Sequence, residues 1–170
     1  MKPFSIRPVE ERDAAAICGI YGEAVRTTVS TWEYEAPDEA EILARLRGIV
    51  GDGYPYLVAE VEPGEPIVGY AYASRWRARS GYRFTAESSV YVDAACRRRG
   101  VGRALVDALV DACRARGLRQ LVAGIGDLDN DASIALHRAC GFVDVGVFRG
   151  VGWKFGRPLD ALWMQRSLTG

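Results

Sequence analysis

The residues most able to do chemistry sit around one turn. Arg97, Arg98 and Arg99 run into Gly100-Val101-Gly102-Arg103, and the apolar triplet Val90-Tyr91-Val92 precedes them. Glycines let backbone approach a ligand and leave amide N–H groups free to point at it. A helix that begins at Val101 would add the positive end of its dipole to the same spot. Arginines contribute charge-assisted hydrogen bonds of the kind phosphate oxygens accept. A pyrophosphate is the natural occupant of such a turn.

Two familiar phosphate motifs do not fit. A P-loop needs GxxxxGK[ST], and no such run exists. A dinucleotide fingerprint needs GxGxxG, but Leu105 stands where the third glycine belongs. Seven residues, 93–99, also separate the strand from Gly100, too many for that tight turn. The remaining plain reading is a solvated basic turn that caps a helix.

Composition narrows the partners. Lys+Arg and Asp+Glu are both 22, so the chain has no net charge to drive bulk binding to nucleic acid or anionic membrane. We therefore expect neither partner. The four cysteines, Cys18, Cys96, Cys113 and Cys140, form no CxxC pair, and there is one histidine. No metal site is expected; Cys18, Cys113 and Cys140 fall on helical apolar faces and read as buried free thiols. The first residues carry no apolar run of signal-peptide length, and no stretch approaches the roughly 18 apolar residues of a membrane span. A reduced, cytoplasmic protein is the expectation.

The elements that must position the turn follow from periodicity. The chain of 170 residues reads as one domain, 1–170, with no linker or repeat. Residues 4–9 read as a strand, and Asp13 as the cap of a helix to about Arg26. Asp38 opens a second helix, which Gly51 and Gly53 end. Strands are expected at 56–61, 67–74 and 85–92, with the first two joined by Pro63-Gly64-Glu65-Pro66 as a hairpin. Val101, Leu105, Leu109 and Ala112 line one face of a helix over 101–116, with Arg103, Asp107, Asp111 and Arg114 on the other. A buried strand at 120–125 follows. Asp129 or Asn130 caps a helix through Cys140, and strands at about 143–151 and 159–167 finish the chain. The fold class is α/β: a central mixed β-sheet flanked by helices on both faces. Strands 85–92 and 120–125 should pair in parallel by a right-handed crossover.

With these elements placed, Arg97–Gly102 resembles the [RQ]-x-x-G-x-[GA] motif of the GNAT N-acetyltransferase superfamily. The likeness continues in Asn130-Asp131-Ala132-Ser133-Ile134-Ala135-Leu136-His137 and in Gly141-Phe142. It narrows to the phosphinothricin acetyltransferase and methionine sulfoximine (L-amino acid) N-acyltransferase branch through four matches. These are Thr31-Trp32-Glu33; Gly69-Tyr70-Ala71 with Trp76-Arg77; Glu87-Ser88-Ser89-Val90-Tyr91-Val92; and the tail Gly152-Trp153-Lys154-Phe155-Gly156-Arg157-Pro158-Leu159-Asp160. The chain departs from the branch at Trp32, usually Phe there, and at Ser88, often His.

The resemblance implies the GNAT fold and acetyl-CoA as cosubstrate, with no metal. Arg97, Arg98, Arg99, Gly100, Val101, Gly102 and Arg103 would hold the CoA pyrophosphate. Val90, Tyr91 and Val92 would pair with the pantetheine arm, which Asn130 would also touch. The acetyl group would go to the primary amine of a small amino-acid-like substrate by direct transfer. Glu87 matches the branch's catalytic glutamate and would take the amine's proton. His137, seven residues after Asn130, would be placed to return one to the CoA thiolate. Trp32, Arg77, Glu87, Ser88 and Ser89 would meet the substrate, with Arg77 suited to an anionic group. The branch also implies a homodimer. Two alternatives stay open: acetylation of a protein N-terminus or lysine, and a catalytically silent CoA-binding module.

Overall fold

The computed structural model describes residues 4–169. Residues 1–3 and 170, and so the very start of the stretch read for a signal segment, lie outside the described residues. The elements run β1 (Ser5–Pro8), α1 (Ala14–Thr27), α2 (Glu39–Gly51), β2 (Tyr56–Glu60), β3 (Ile67–Arg75), β4 (Thr85–Val92), α3 (Val101–Ala115), β5 (Gln120–Gly126), α4 (Asp131–Ala139), β6 (Val143–Lys154) and β7 (Arg157–Ser167). The expected order holds.

All seven strands join one mixed sheet in the order β1-β2-β3-β4-β5-β7-β6. Among the described residues only β4 and β5 pair in parallel, and α3 supplies the crossover. The helices cover both faces. α3 buries Val101, Leu105, Val106, Leu109, Val110 and Cys113, and the face beneath it also takes Ile134, Cys140 and Phe142 from around α4. α1 and α2 cover the other face, where Ile17, Tyr21, Ile42 and Leu46 pack on Tyr56, Val58 and Tyr70. Strand alternation decides which side chain meets which layer. Ala71 and Ala73 of β3 face α3, whereas Tyr70 faces α1 and α2.

Three local expectations change, and the choice between Asp129 and Asn130 as the α4 cap is decided. Asp13 does not cap α1 with its side chain; that carboxylate accepts from the Glu10 N–H at 2.8 Å and pairs with Arg7 at 2.8 Å. Asn130, not Asp129, caps α4 by accepting from the Ser133 N–H. Cys18 is half-buried, not buried, and its thiol donates to the Pro37 carbonyl oxygen. The last hairpin is longer than its hydrophobic pattern suggests, because the turn contracts to Phe155 (φ 52°) and Gly156 (φ 74°). Two positive φ values in succession match the right-handed strand twist and let the ladder run to the turn.

Candidate active site

The sheet opens in its middle. β4 pairs with β5 at only three positions, ending at Glu87 opposite Val122. Beyond that point each strand keeps its other neighbour: β4 follows β3 to Val92, and β5 follows β7 to Gly126. The Ser88 hydroxyl donates to the Val122 carbonyl oxygen at 3.1 Å, where the strands part. The Asp93 backbone N–H donates to the Val68 carbonyl oxygen at 3.0 Å, which fixes the alternation of the β3–β4 ladder. By that alternation the N–H and C=O groups of Val90 and Val92 aim away from β3, into the parted seam. An extended ligand with amide groups could add there as a strand adds to a sheet edge.

The basic turn stands at the mouth of the seam. Asp93 accepts from the Ala95 N–H at 2.8 Å and starts the turn, and Arg97 Nε donates to the Val92 carbonyl oxygen at 3.3 Å. Arg98 (φ 57°) and Gly100 (φ 82°) both take left-handed backbone, which swings the chain into α3. No side chain caps α3, so its first amides remain available to an anion. Gly102 has a packing reason as well. A Cβ there would come within 3.3 Å of Leu136 and 3.5 Å of Val92, so glycine brings α3 close to α4 and β4. Arg97, Arg98 and Arg99 are exposed, and Arg103 pairs along the helix with Asp107 at 3.6 Å. The donors, the helix end and the open edge suit a pyrophosphate joined to an amide-bearing arm, so the residues fit acetyl-CoA.

Glu87 lies on the opposite face of the sheet from Ser88. It stands across from Ser74, and Ser89 across from Tyr72. Burial pushes the Glu87 carboxyl above the usual carboxylate range, and the Arg77 charge pulls against that shift. Next to it is a cavity of about 430 Å³ between the sheet and the two helices α1 and α2. Tyr56, Tyr70, Tyr72 and Ser74 form its floor, with Tyr21 and Arg45 in its wall and Arg75 at one end. The half-buried Glu87 carboxyl therefore stands across from the cavity residue Ser74 on one face, while the parted edge opens along the next five residues of the same strand.

The remaining expected residues divide. Arg77 is exposed and stacks its guanidinium on Trp76, 5.0 Å from the ring centroid. Ser88, expected at the substrate, turns instead to the α3 side and gives its hydroxyl to Val122. Trp32 does not line the cavity; its ring covers Gly152, where a Cβ would lie 1.9 Å from it. Tyr91 meets Tyr21 edge-on at 5.1 Å, and its hydroxyl donates to the Ser30 carbonyl oxygen. Asn130 also reaches this loop, with Nδ2 3.5 Å from Ser30 Oγ. His137 is buried against Phe142, and its Nδ1 donates to the Ser133 carbonyl oxygen at 2.8 Å. Burial lowers the His137 pKa, so the ring is neutral, a state with no proton to give from Nε2.

Sequence reading passed over the network that shapes the cavity. The Tyr21 hydroxyl is 2.7 Å from Thr31 Oγ1 and donates to Glu33 at 2.9 Å, and Glu33 in turn pairs with Arg45 at 2.7 Å. The alternation Tyr70-x-Tyr72-x-Ser74 on a strand was the available signal. Among the described residues no cluster of His, Cys, Asp and Glu is arranged to hold a metal, and no helix is long and apolar enough to cross a membrane.

Comparison with known proteins converges on this geometry. Residues 6–163 match the family model of the acetyltransferase (GNAT) domain. The chain is 46% identical over 165 residues to phosphinothricin N-acetyltransferase of Alcaligenes faecalis, covering 97% of this chain and 83% of that protein. It is 42% identical over 164 residues to the L-methionine sulfoximine/L-methionine sulfone acetyltransferase of Pseudomonas paraeruginosa, covering 96% and 94%. The crystal structure of a phosphinothricin acetyltransferase from Sinorhizobium meliloti in complex with acetyl-CoA superposes with a TM-score of 0.92. It is 43% identical and covers 98% of this chain and 89% of that one.

Proposed function

This chain belongs to the GNAT acetyltransferase family and is an acetyl-CoA-dependent N-acetyltransferase; on that premise we propose that its acceptor is the primary amine of a small amino-acid-like molecule. Phosphinothricin, methionine sulfoximine, methionine sulfone and related L-amino acids are the candidates. One observation carries the reading. Glu87 stands across from Ser74, a lining residue of the aromatic cavity on one side of the sheet, at the position where β4 leaves β5.

Acetyl-CoA supplies an acyl group already activated as a thioester. The α3 amides with Arg97, Arg98 and Arg99 bind its pyrophosphate, and the open edge at Val90 and Val92 orients the arm. Asn130 and Arg103 flank this path. The backbone N–H groups on that edge are donors fixed in advance for charge that grows on the acyl oxygen. Glu87 takes the proton that the acceptor ammonium must lose, and its raised pKa makes it a better base than a solvated carboxylate. Arg77 and Arg75 stand at the same end and suit an acceptor's carboxylate or phosphinate. His137 holds α4 through Ser133 in this reading and does not serve as the acid; solvent protonates the leaving thiolate. Ser89 stays on the acceptor face beside Tyr72.

The chain acts as a single catalytic domain. A homodimer fits the exposed apolar side chains along β6 and its turn: Val143, Val145, Phe148, Val151, Trp153 and Phe155. Free thiols at all four cysteines support a reducing, cytoplasmic setting. The deciding experiment is a thiol-release screen with acetyl-CoA against phosphinothricin, methionine sulfoximine, methionine sulfone, the natural amino acids, and short peptides with a free N-terminus or lysine. Release with at least one small amino acid, and none with peptides, is expected. Release with peptides alone would overturn the acceptor assignment.

A further inference from the structure

Lys154 ends β6 and is almost fully buried, at 2% exposure. A buried ammonium is costly unless its hydrogens find partners. Here Nζ donates to two backbone carbonyl oxygens, those of Thr28 and Thr31, each at 2.9 Å. It also lies 5.2 Å from the Phe155 ring centroid. No carboxylate among the described residues pairs with it at salt-bridge distance, although Glu33 attracts it from further off. The charge is thus spent on holding one turn of the loop that joins α1 to α2.

That turn is a junction. Ser30, between the two held carbonyls, meets Asn130 and Tyr91 at the seam. Thr31 and Glu33 meet Tyr21, and Glu33 also pairs with Arg45. Tyr21 and Arg45 are wall residues of the cavity. The loop is fitted closely to the strands it covers. A Cβ on Gly126 would fall 2.1 Å from the Val29 carbonyl oxygen, and one on Gly152 would enter the Trp32 ring. A hydrophobic residue at position 154 could fill the space, but it could not hold two carbonyls in fixed positions.

We propose that Lys154 is a positioning residue for the acceptor: it clamps the 28–31 turn so that Glu33 sets Tyr21 and Arg45 in the cavity wall. The proposal rests on the cavity being the acceptor site. It predicts a fault that falls mainly on the acceptor side when the clamp is lost: Glu33 bonds both Tyr21 and Arg45 of the cavity wall at 2.7–2.9 Å, whereas the turn reaches the cofactor seam only through the long Ser30 contacts to Asn130 and Tyr91, at 3.5 and 3.4 Å.

The test uses the full chain as wild type, Lys154→Met and Lys154→Arg. Acetyl-CoA affinity is measured by calorimetry, KM and kcat by thiol release with the best amine, and hydrogen exchange over residues 28–34. For Lys154→Met we expect the amine KM to rise about tenfold, kcat to stay within about threefold and acetyl-CoA affinity to stay within about twofold. Exchange over 28–34 is expected to quicken, and Lys154→Arg to recover part of the KM. An unchanged amine KM, or an equal loss of acetyl-CoA affinity, overturns the proposal; so does unchanged exchange over 28–34. Should Lys154→Met fail to fold, Gly152→Ala displaces the same loop through Trp32 with Lys154 intact. It should give the same selective rise in KM, and a wild-type KM there counts against the clamp. Failure of the wild type to acetylate any amine would instead count against the acceptor reading, and the exchange comparison would still decide the clamp.

Discussion

Glu87 combines two effects that separate cleanly by experiment. Its carboxyl titrates above the usual range because burial penalises the charge. A raised carboxyl pKa means that the folded state binds a proton more tightly than the unfolded chain does. Stability therefore falls as pH rises from the unfolded pKa through the folded one, and at neutral pH the ionised group is a burden on the fold. Glu87→Gln is expected to lower turnover by about a hundredfold or more, leave acetyl-CoA affinity near normal and raise the melting temperature at pH 7. A lower melting temperature would contradict the buried-charge account. Arg77 opposes the shift, so Arg77→Gln is expected to move the acid limb of the kcat/KM profile to higher pH; a limb that stays in place would separate the two residues. Glu87, Arg77 and Asn130 could be singled out in the sequence because the motifs that carry them are local. Ser88 turns to the α3 side and Trp32 covers Gly152, placements the sequence did not show because strand alternation and loop docking decide which face a side chain meets. For His137 the sequence offered only its register after Asn130, whereas the ring's protonation depends on a carbonyl one helical turn back and on the surrounding core.

At the scale of elements, the parted strands and the start of α3 form the unit to which the proposal assigns acetyl-CoA. The order of helices and strands was legible from apolar periodicity, turn residues and the glycines that end helices, although Asp13 does not cap α1, no side chain caps α3 and β6 runs beyond its apolar pattern. The opening between β4 and β5 was not, because nothing in either strand's own pattern says where parallel pairing stops. The turn yields a direct prediction. Arg98→Glu and Arg99→Glu are each expected to weaken acetyl-CoA binding about tenfold at low salt, with a smaller effect at high salt. Arg103→Glu is expected to matter less, because Arg103 already shares charge with Asp107. Calorimetry at two salt concentrations checks the order. Gly100→Ala places a side chain on left-handed backbone and is expected to cost about 1–2 kcal/mol of stability; its neighbourhood is otherwise open, so strain and not collision is what a denaturation curve would report.

For the whole molecule, the last hairpin is the outer limit of what sequence reading reached. The resemblance implies a homodimer without saying which surface forms it, and the structure leaves Phe148 and Trp153 more than half exposed on the edge strand β6. Phe148→Glu with Trp153→Glu is expected to shift the chain from dimer to monomer by analytical ultracentrifugation, and a monomeric wild type would count against this surface as an interface. The three-position pairing of β4 with β5 has a consequence beyond binding. It divides the sheet into two ladders, β1 to β4 and β5 to β7, that share a short hinge and the helices laid over it. A molecule lodged in the seam becomes a strut between them. By mass action it contributes about 2.7 kcal/mol at a hundred times its dissociation constant, and that gain falls on the junction where the scaffold has fewest bonds of its own. Resting and loaded enzyme would then differ chiefly in mechanical stiffness, with slow amide exchange spreading from β4 into β5 once the strut is in place.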